Sequence, residues 1–431
     1  MGQEQQELSV LREENQRLKR AVEELSVLND LARTIGGSLN SEEIMNTIVR
    51  RSLRAVQADQ GVFTLVDEQQ ADSQMKTLVR ATVSSSQHEQ FHLNQALLGW
   101  MHLNKKPLIL NDTKSDERFR GVPWDPSIRN LVCVPLMVKS ALRGALTVYN
   151  KKDGKAFGDD DHRLLAIIAA QSAQVIENAR LYEQEKAFMR MQEEVRLAAR
   201  IQMDLLPKTN PTIAGYDIAG KTIPAQAVGG DYFDFIPIDD HRIAICLGDV
   251  SGKGMPASLL MANTQATLRT QALDAPSPKD WIRRANKLLF QSTSPEKFVT
   301  LFFGILDSRT HTFQFCNAGH DNPFYISQHS NLTRLSTGGI VLSMMNDFAY
   351  EEDSVTLQPG HAIVMYSDGI TEAFNTNEEE FTDQRLGEYL NHHRSESATV
   401  LIDGIVAAVK THASGTPQAD DITVVVLRRV S

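Results

Sequence analysis

Only three cysteines occur in 431 residues, Cys133, Cys246 and Cys316. They lie far apart, each inside an apolar, strand-like run, and no C-x-x-C pair exists. A cysteine zinc site therefore has no support, and the pattern reads as buried free thiols in a reducing compartment. Positive charge is also short. Lys and Arg total 44 against 54 Asp and Glu, for a formal net charge of -10. A broad nucleic-acid surface is not expected on such a chain. No apolar run approaches the roughly 18 residues of a spanning helix. The opening MGQEQQELSVLREENQ is polar and acidic, unlike a signal peptide, and Gln6 breaks the myristoylation pattern. The expectation is a soluble cytoplasmic protein with no nucleic-acid and no membrane partner.

The length is too great for one ordinary core and predicts two or three domains. Residues 1 to 32 carry a heptad, with Leu8, Asn15, Val22 and Asn29 on one seam position and Leu11, Leu18, Leu25 and Ala32 on the other. This predicts a coiled-coil helix and a homodimer, because seam asparagines fix register between two strands. An amphipathic helix lying on its own domain is the alternative.

Residues 41 to 180 read as a mixed α/β domain. SEEIMNTIVRRSLRAV is an amphipathic helix with Ser41 as its N-cap. GVFTLVD, MKTLVRATV, KPLIL, LVCVPLMV and RGALTVYN read as strands. A long helix from Asp159 closes the domain, its acidic start matched to the positive end of the helix dipole. Residues 181 to 207 continue as a helical linker. Leu181, Phe188, Val195 and Gln202 form one seam, Gln184, Met191, Ala198 and Leu205 the other, and Pro207 ends it. A second coiled coil or a plain spacer helix fits this stretch.

From Pro207 the chain reads as strands broken by glycine and aspartate. RIAICLGD and AIVMYSD are apolar runs ending on Asp249 and Asp368, and DDITVVVLRR begins with Asp420 and Asp421. GGDYFDF places Asp231 at the lip of a further strand. Such strand ends can bring the carboxylates to one end of an antiparallel sheet. Crowded carboxylates repel one another unless a cation joins them, and all-oxygen ligands favour Mg²⁺ or Mn²⁺ over zinc. Two such ions sharing a water would make a phosphate-ester hydrolase. The bland alternative is that each Asp merely caps a turn beside glycine.

Seven blocks sharpen this: AARIQMDLLP, AVGGDYFDF, GDVSGKGMPASLLMA, FVTLFFGILD, CNAGHDNPFY, MYSDGITEAFN and ADDITVVVLR. In this order they resemble the PPM-type, metal-dependent serine/threonine phosphatases, in the bacterial branch of the stage II sporulation phosphatase and the stress-response regulators. LNDLARTIGGSLNSEEIM, LVCVPLMV, RGALTVYN and the closing helix resemble a GAF sensor domain. The resemblances imply a multidomain α+β protein: coiled coil (1–32), GAF domain (25–183), helical linker (181–207) and a phosphatase α-β-β-α sandwich (208–431). They imply two Mn²⁺ or Mg²⁺ ions. Asp231 and Asp249 would be ligands, Asp249 bridging, with the Val250 backbone carbonyl beside it. Asp368 and Asp420 would hold the other ion. Asp421 remains an alternative to Asp420, although strand alternation favours Asp420.

The implied substrate is a phosphoserine or phosphothreonine on an anti-sigma antagonist protein. A non-catalytic GAF scaffold and a small-phosphoester hydrolase are the other readings. In the eukaryotic branch a histidine stands where Ser251 is. The leaving-group acid is therefore either a metal-associated water or His320, the latter reading better as a loop-ordering residue. Lys253 reads as a solvent-facing loop lysine. Trp100, His102 and Trp124 read as packing rather than as a GAF ligand pocket, for which no residue is assigned and whose small-molecule ligand stays open. GDVSGKG (Gly248–Gly254) is not a phosphate loop. Three residues instead of four precede its Gly-Lys pair, and Gly254 follows where Ser or Thr is needed.

Overall fold

The computed structural model describes residues 41–65, 76–82, 95–272, 277–327 and 332–431, together with Leu11, Glu14 and Asn15. The expected N-terminal coiled coil falls almost wholly outside the described residues. The chain divides into two compact units, Met1–Met189 and Arg190–Ser431.

In the first unit five strands form one antiparallel sheet. They are β1 (Ala58–Leu65), β2 (Lys76–Thr82), β3 (Leu108–Leu110), β4 (Leu131–Val138) and β5 (Ala141–Lys151), in the order β2-β1-β5-β4-β3. All five coincide with expected strands. One face packs on the helix Ser41–Ala55 and the start of the helix Asp159–Leu205, through Ile48, Phe63, Val148 and Leu165. The other face carries a second cluster around Leu97, Leu131 and Tyr149. Trp100 packs against this cluster, Trp124 meets Phe119 edge-on at 5.8 Å, and His102 is exposed. Both tryptophans are partly buried against this cluster. Burial pushes the Cys133 thiol up to about 12, which makes it inert. Cys246 and Cys316 are free and buried as well.

The second unit has two sheets. One holds β7 (Tyr232–Pro237), β8 (Arg242–Val250), β9 (Val299–Asp307), β10 (Thr312–Ala318) and β13 (Gly338–Gly339), in the order β13-β10-β9-β8-β7, with β14 (Asp353–Thr356) also paired to β10. The other runs β12 (Leu332–Arg334), β11 (Phe324–Ile326), β15 (Ala362–Tyr366), β16 (Ile422–Arg429) and β6 (Tyr216–Ile223). Strand alternation gives each sheet two apolar faces. Met365, Val425 and Leu427 join Ile245, Phe302 and Phe315 in the core between the sheets. Val364, Val424 and Val426 turn outward onto the helices Thr382–His393 and Ala398–Ala413. The helices Met255–Arg269 and Pro278–Ser292 cover the first sheet through Met261, Trp281 and Leu289. The result is the expected α-β-β-α order of layers.

The helix from Asp159 to Leu205 is continuous, beginning in the first unit and ending in the second. Its seam residues Leu181, Phe188 and Met191 are exposed. Gln202 departs from the seam expectation. It is buried and bonded inside the second unit, where Gln202 Nε2 donates to the Gly229 carbonyl at 2.6 Å and Oε1 accepts from Gly229 N–H at 3.0 Å.

Candidate active site

The sequence places the acids on one sheet, and the structure corrects this. Asp231 and Asp249 flank β7 and β8 of the first sheet, whereas Asp368 and Asp420 flank β15 and β16 of the second. The four carboxylates gather because the two sheets face each other and these strand ends meet at one end of the sandwich. Asp249 is the penultimate residue of β8, and Asp368 opens the short helix Asp368–Thr371 after β15.

Their mutual repulsion is legible in their proton affinities. Burial, then Asp368 and Asp420, push Asp249 up to about 7. Burial and the neighbouring Asp249 raise Asp231 well above the carboxylate range, and burial and Asp420 raise Asp368. Such a set calls for more positive charge than Lys253 alone supplies. A Cβ added to Gly230 would lie 3.0 Å from both Asp249 Oδ1 and the Val250 carbonyl oxygen, so these two acceptors border one small space. The all-oxygen donor set fits a hard divalent cation. Among the described residues no three His, Cys, Asp or Glu side chains already converge as a finished cation cage. The carboxylates instead take protein partners. Thr423 Oγ1 donates to Asp231, and Lys253 Nζ lies 2.8 Å from Asp420 Oδ2 while donating to the Ala419 carbonyl at 2.8 Å. Lys253, expected to face solvent, is half-exposed and bound to an acid.

Asp420 and Asp421 are distinguished by their partners. Asp421 is buried, and its carboxylate accepts from the N–H groups of Ala225 at 2.8 Å, Gly230 at 2.7 Å and Asp231 at 3.3 Å. It stitches the loop that carries Asp231. Asp420 turns instead towards Lys253 and adds repulsion at Asp249 and Asp368.

His320 is buried and bonds to one strand of each sheet, β9 and β15. Its Nε2 donates to the Tyr366 carbonyl at 3.1 Å, since a carbonyl only accepts, so Nδ1 accepts from Thr300 Oγ1 at 2.9 Å. Thr300 Oγ1 in turn accepts from the Asp249 N–H at 3.2 Å. Burial pushes His320 down to about 4, so it is neutral near pH 7 with both nitrogens engaged. It orders its loop. Ser251 Oγ accepts from Phe298 N–H at 2.9 Å, which occupies the hydroxyl structurally. In GDVSGKG the turn after Val250 runs through Gly252 at φ +97° and Gly254 at φ +71°, where a side chain would be strained.

Sequence reasoning missed one buried group. Asp234 is fully buried and takes a two-pronged ion pair from Arg269, at 2.7 and 2.9 Å, plus the Tyr232 hydroxyl at 2.7 Å. It ties β7, just after Asp231, to the helix that follows Gly254. The D-x-x-D spacing in GGDYFDF held a faint signal, since strand alternation sends Asp234 to the opposite face from Asp231.

Paired sheets with acids at one end and helices on both outer faces fit a PP2C-type phosphatase domain, and the similarities of the sequence support a phosphoprotein phosphatase. Residues 239–430 match the family model for Stage II sporulation protein E (SpoIIE), and residues 38–177 match a GAF domain. The chain is thus similar to a GAF domain in its N-terminal part and to the SpoIIE phosphatases in its C-terminal part. It is 29% identical over 254 residues to phosphoserine phosphatase RsbU of Bacillus subtilis, covering 58% of this chain and 75% of that one. It is 28% identical over 263 residues to protein IcfG of Synechocystis, covering 55% of this chain and 41% of IcfG, so it spans less than half of that relative. The SiaA-PP2C domain of Pseudomonas aeruginosa aligns with a TM-score of 0.49 at 21% identity, over 56% of this chain and 98% of that chain. Among the described residues no helix is long and apolar enough to cross a membrane.

Proposed function

We propose that this protein removes phosphate from a phosphoserine or phosphothreonine of a small regulatory protein of the anti-sigma-antagonist type, using two Mn²⁺ or Mg²⁺ ions, under control of its GAF domain. The observation that carries the reading is the crowded acidic cluster, in which Asp249 and the Val250 carbonyl border one space and Asp368 and Asp420 approach from the facing sheet. Asp231, Asp249 and the Val250 carbonyl would hold one ion, with Asp249 shared, and Asp368 and Asp420 the other. Such ions, when bound, supply Lewis-acid charge to phosphoryl oxygens and a more acidic water. Asp421, Thr423 and Thr300 orient the acids, and His320 stays neutral rather than donating a proton. A non-catalytic scaffold would have no use for four crowded, mutually repelling carboxylates. The RsbU relative, named a phosphoserine phosphatase, supports the substrate class. The decisive measurement is Mn²⁺-dependent phosphate release from a phosphorylated antagonist protein. Release from p-nitrophenyl phosphate alone would favour a small-phosphoester hydrolase.

Lys253 sits on a proposed ligand, so its ammonium competes with the cation. Lys253→Met should tighten Mn²⁺ binding about two- to five-fold, the range of a half-exposed ion pair. Calorimetric titration checks this, and weaker binding would contradict it.

Control by the GAF domain needs a path to the acids, and Gln202 offers one. It lies in the last turn of the long helix and holds Gly229, two residues before Asp231. Gln202→Ala leaves the Gly229 N–H and carbonyl unpaired, at about 1–3 kcal/mol. The expected result is a several-fold rise in the Mn²⁺ concentration for half-maximal turnover, with turnover at saturation kept. An unchanged Mn²⁺ curve would remove this path.

A further inference from the structure

A cavity of about 530 Å³ opens beside the acids, and Asp420 and Gly369 belong to its wall. Its apolar lining is Phe374, Val409, Ala413, Pro417 and Ile422. These residues come from the turn after the helix Asp368–Thr371, the end of the helix Ala398–Ala413 and the segment leading into β16. Phe374 is 40% exposed, an aromatic ring left partly in water next to a reaction centre. The charges on the wall cancel, with Lys253 and Lys410 against Glu372 and Asp420, and Lys253 is already paired. A charged occupant gains little from such a wall, while an apolar one gains from every surface it covers.

We infer that this cavity receives an apolar side chain of the phosphoprotein substrate, from a residue close in sequence to the phosphorylated one. The inference rests on the phosphoprotein reading above and deepens it. A phosphoryl group and the oxygen that carries it look alike on every phosphoserine, so the acids alone cannot tell one phosphoprotein from another. Discrimination must come from contacts beside the reacting atoms that persist in the transition state. The cavity is continuous with the acids through Asp420. Its volume lies in the range of small-ligand sites and suits one or two side chains rather than a folded segment. Burying a leucine there is worth about 1.5–3 kcal/mol, which is roughly ten-fold or more in affinity.

The test uses the full chain with Mn²⁺ and two fluorescent peptides carrying a non-hydrolysable phosphonate in place of phosphoserine. One has leucines within two residues of the phosphonate on each side, and the other has glycines there. Anisotropy titration should give at least about ten-fold tighter binding of the leucine peptide. Ala413→Trp, which fills the cavity, should bring the ratio to within about two-fold. Phe374→Ala, which strips one wall, should lower it too and covers the case in which the tryptophan variant fails to fold. Equal binding of the two peptides by the unaltered protein overturns the inference, as does a ratio that survives both substitutions. Turnover of the corresponding phosphoserine peptides is read separately. A preference in binding without any turnover would sink the phosphoprotein reading and leave the cavity only as a binding site for an apolar side chain beside a phosphoryl group.

Discussion

Asp249→Asn should lower Mn²⁺-dependent phosphate release at least about a hundred-fold and yet make the metal-free fold more stable. The first effect follows from the proposed role. Loss of a group that merely supports a ligand costs 10–100-fold in metal affinity or activity, and a direct, shared ligand should cost no less. The second follows from where Asp249 sits. Its folded pKa of about 7 lies above the ordinary 3.8, because burial, Asp368 and Asp420 oppose its charge. A carboxyl raised in this way favours the fold at low pH, and that contribution is lost as pH rises through about 7. At pH 8 the ionised group therefore opposes folding by roughly 2–4 kcal/mol, since raising a pKa by one costs the charged form about 1.36 kcal/mol. Asparagine carries no charge to bury. Urea unfolding in EDTA should give Asp249→Asn a higher midpoint than the unaltered protein at pH 8, with the gap closing towards pH 4. A lower midpoint at pH 8 would mean that Asp249 is not repelled by its neighbours, and preserved phosphate release would remove it from the ion site.

Arg269→Met should destabilise the phosphatase domain by about 3 kcal/mol, at the lower end for breaking a buried pair because Arg269 itself is half-exposed. Asp234 has no water to fall back on, being fully buried. A domain of this size should lose about 6–12 °C in melting temperature. The double variant Asp234→Asn/Arg269→Met should recover part of that loss, since it removes the stranded charge. A loss below about 1 kcal/mol in the single variant would show that the pair is dispensable. Metal affinity should fall in Arg269→Met as well, because the pair holds β7, which follows Asp231, against the helix that follows the Gly252–Gly254 turn.

Much of this molecule was legible in the sequence. All five strands of the GAF domain stand where alternation and β-branched runs place them. The acids at the strand ends were visible because a carboxylate closing an apolar run has few bland explanations when it recurs. What stayed hidden depends on which strands become neighbours. Nothing local says that β8 and β15 belong to different sheets, so the acids read as one sheet edge. Gln202 counted as a weak seam residue because heptad reading sees only the helix, whereas its partner Gly229 lies 27 residues on, in a loop. Asp421 and Asp420 are identical neighbours in sequence and separate only through the backbone N–H groups of Ala225, Gly230 and Asp231 that claim one of them. Arg269 and Asp234 are 35 residues apart and meet only after a helix has folded back across a sheet.

Division of the acids between two sheets has a mechanical consequence. Each sheet carries half of the centre, so no rearrangement within either half is needed to disable it. A slip of one layer past the other by a fraction of a bond length would pull Asp368 and Asp420 out of register with Asp231 and Asp249. If the proposed ions are held there, the centre would work like a vernier, converting small shear between the sheets into a large change in cation grip. Any cation that bridges the halves must in turn clamp the plates together, so chelation should loosen the sandwich along its mid-plane before either sheet frays.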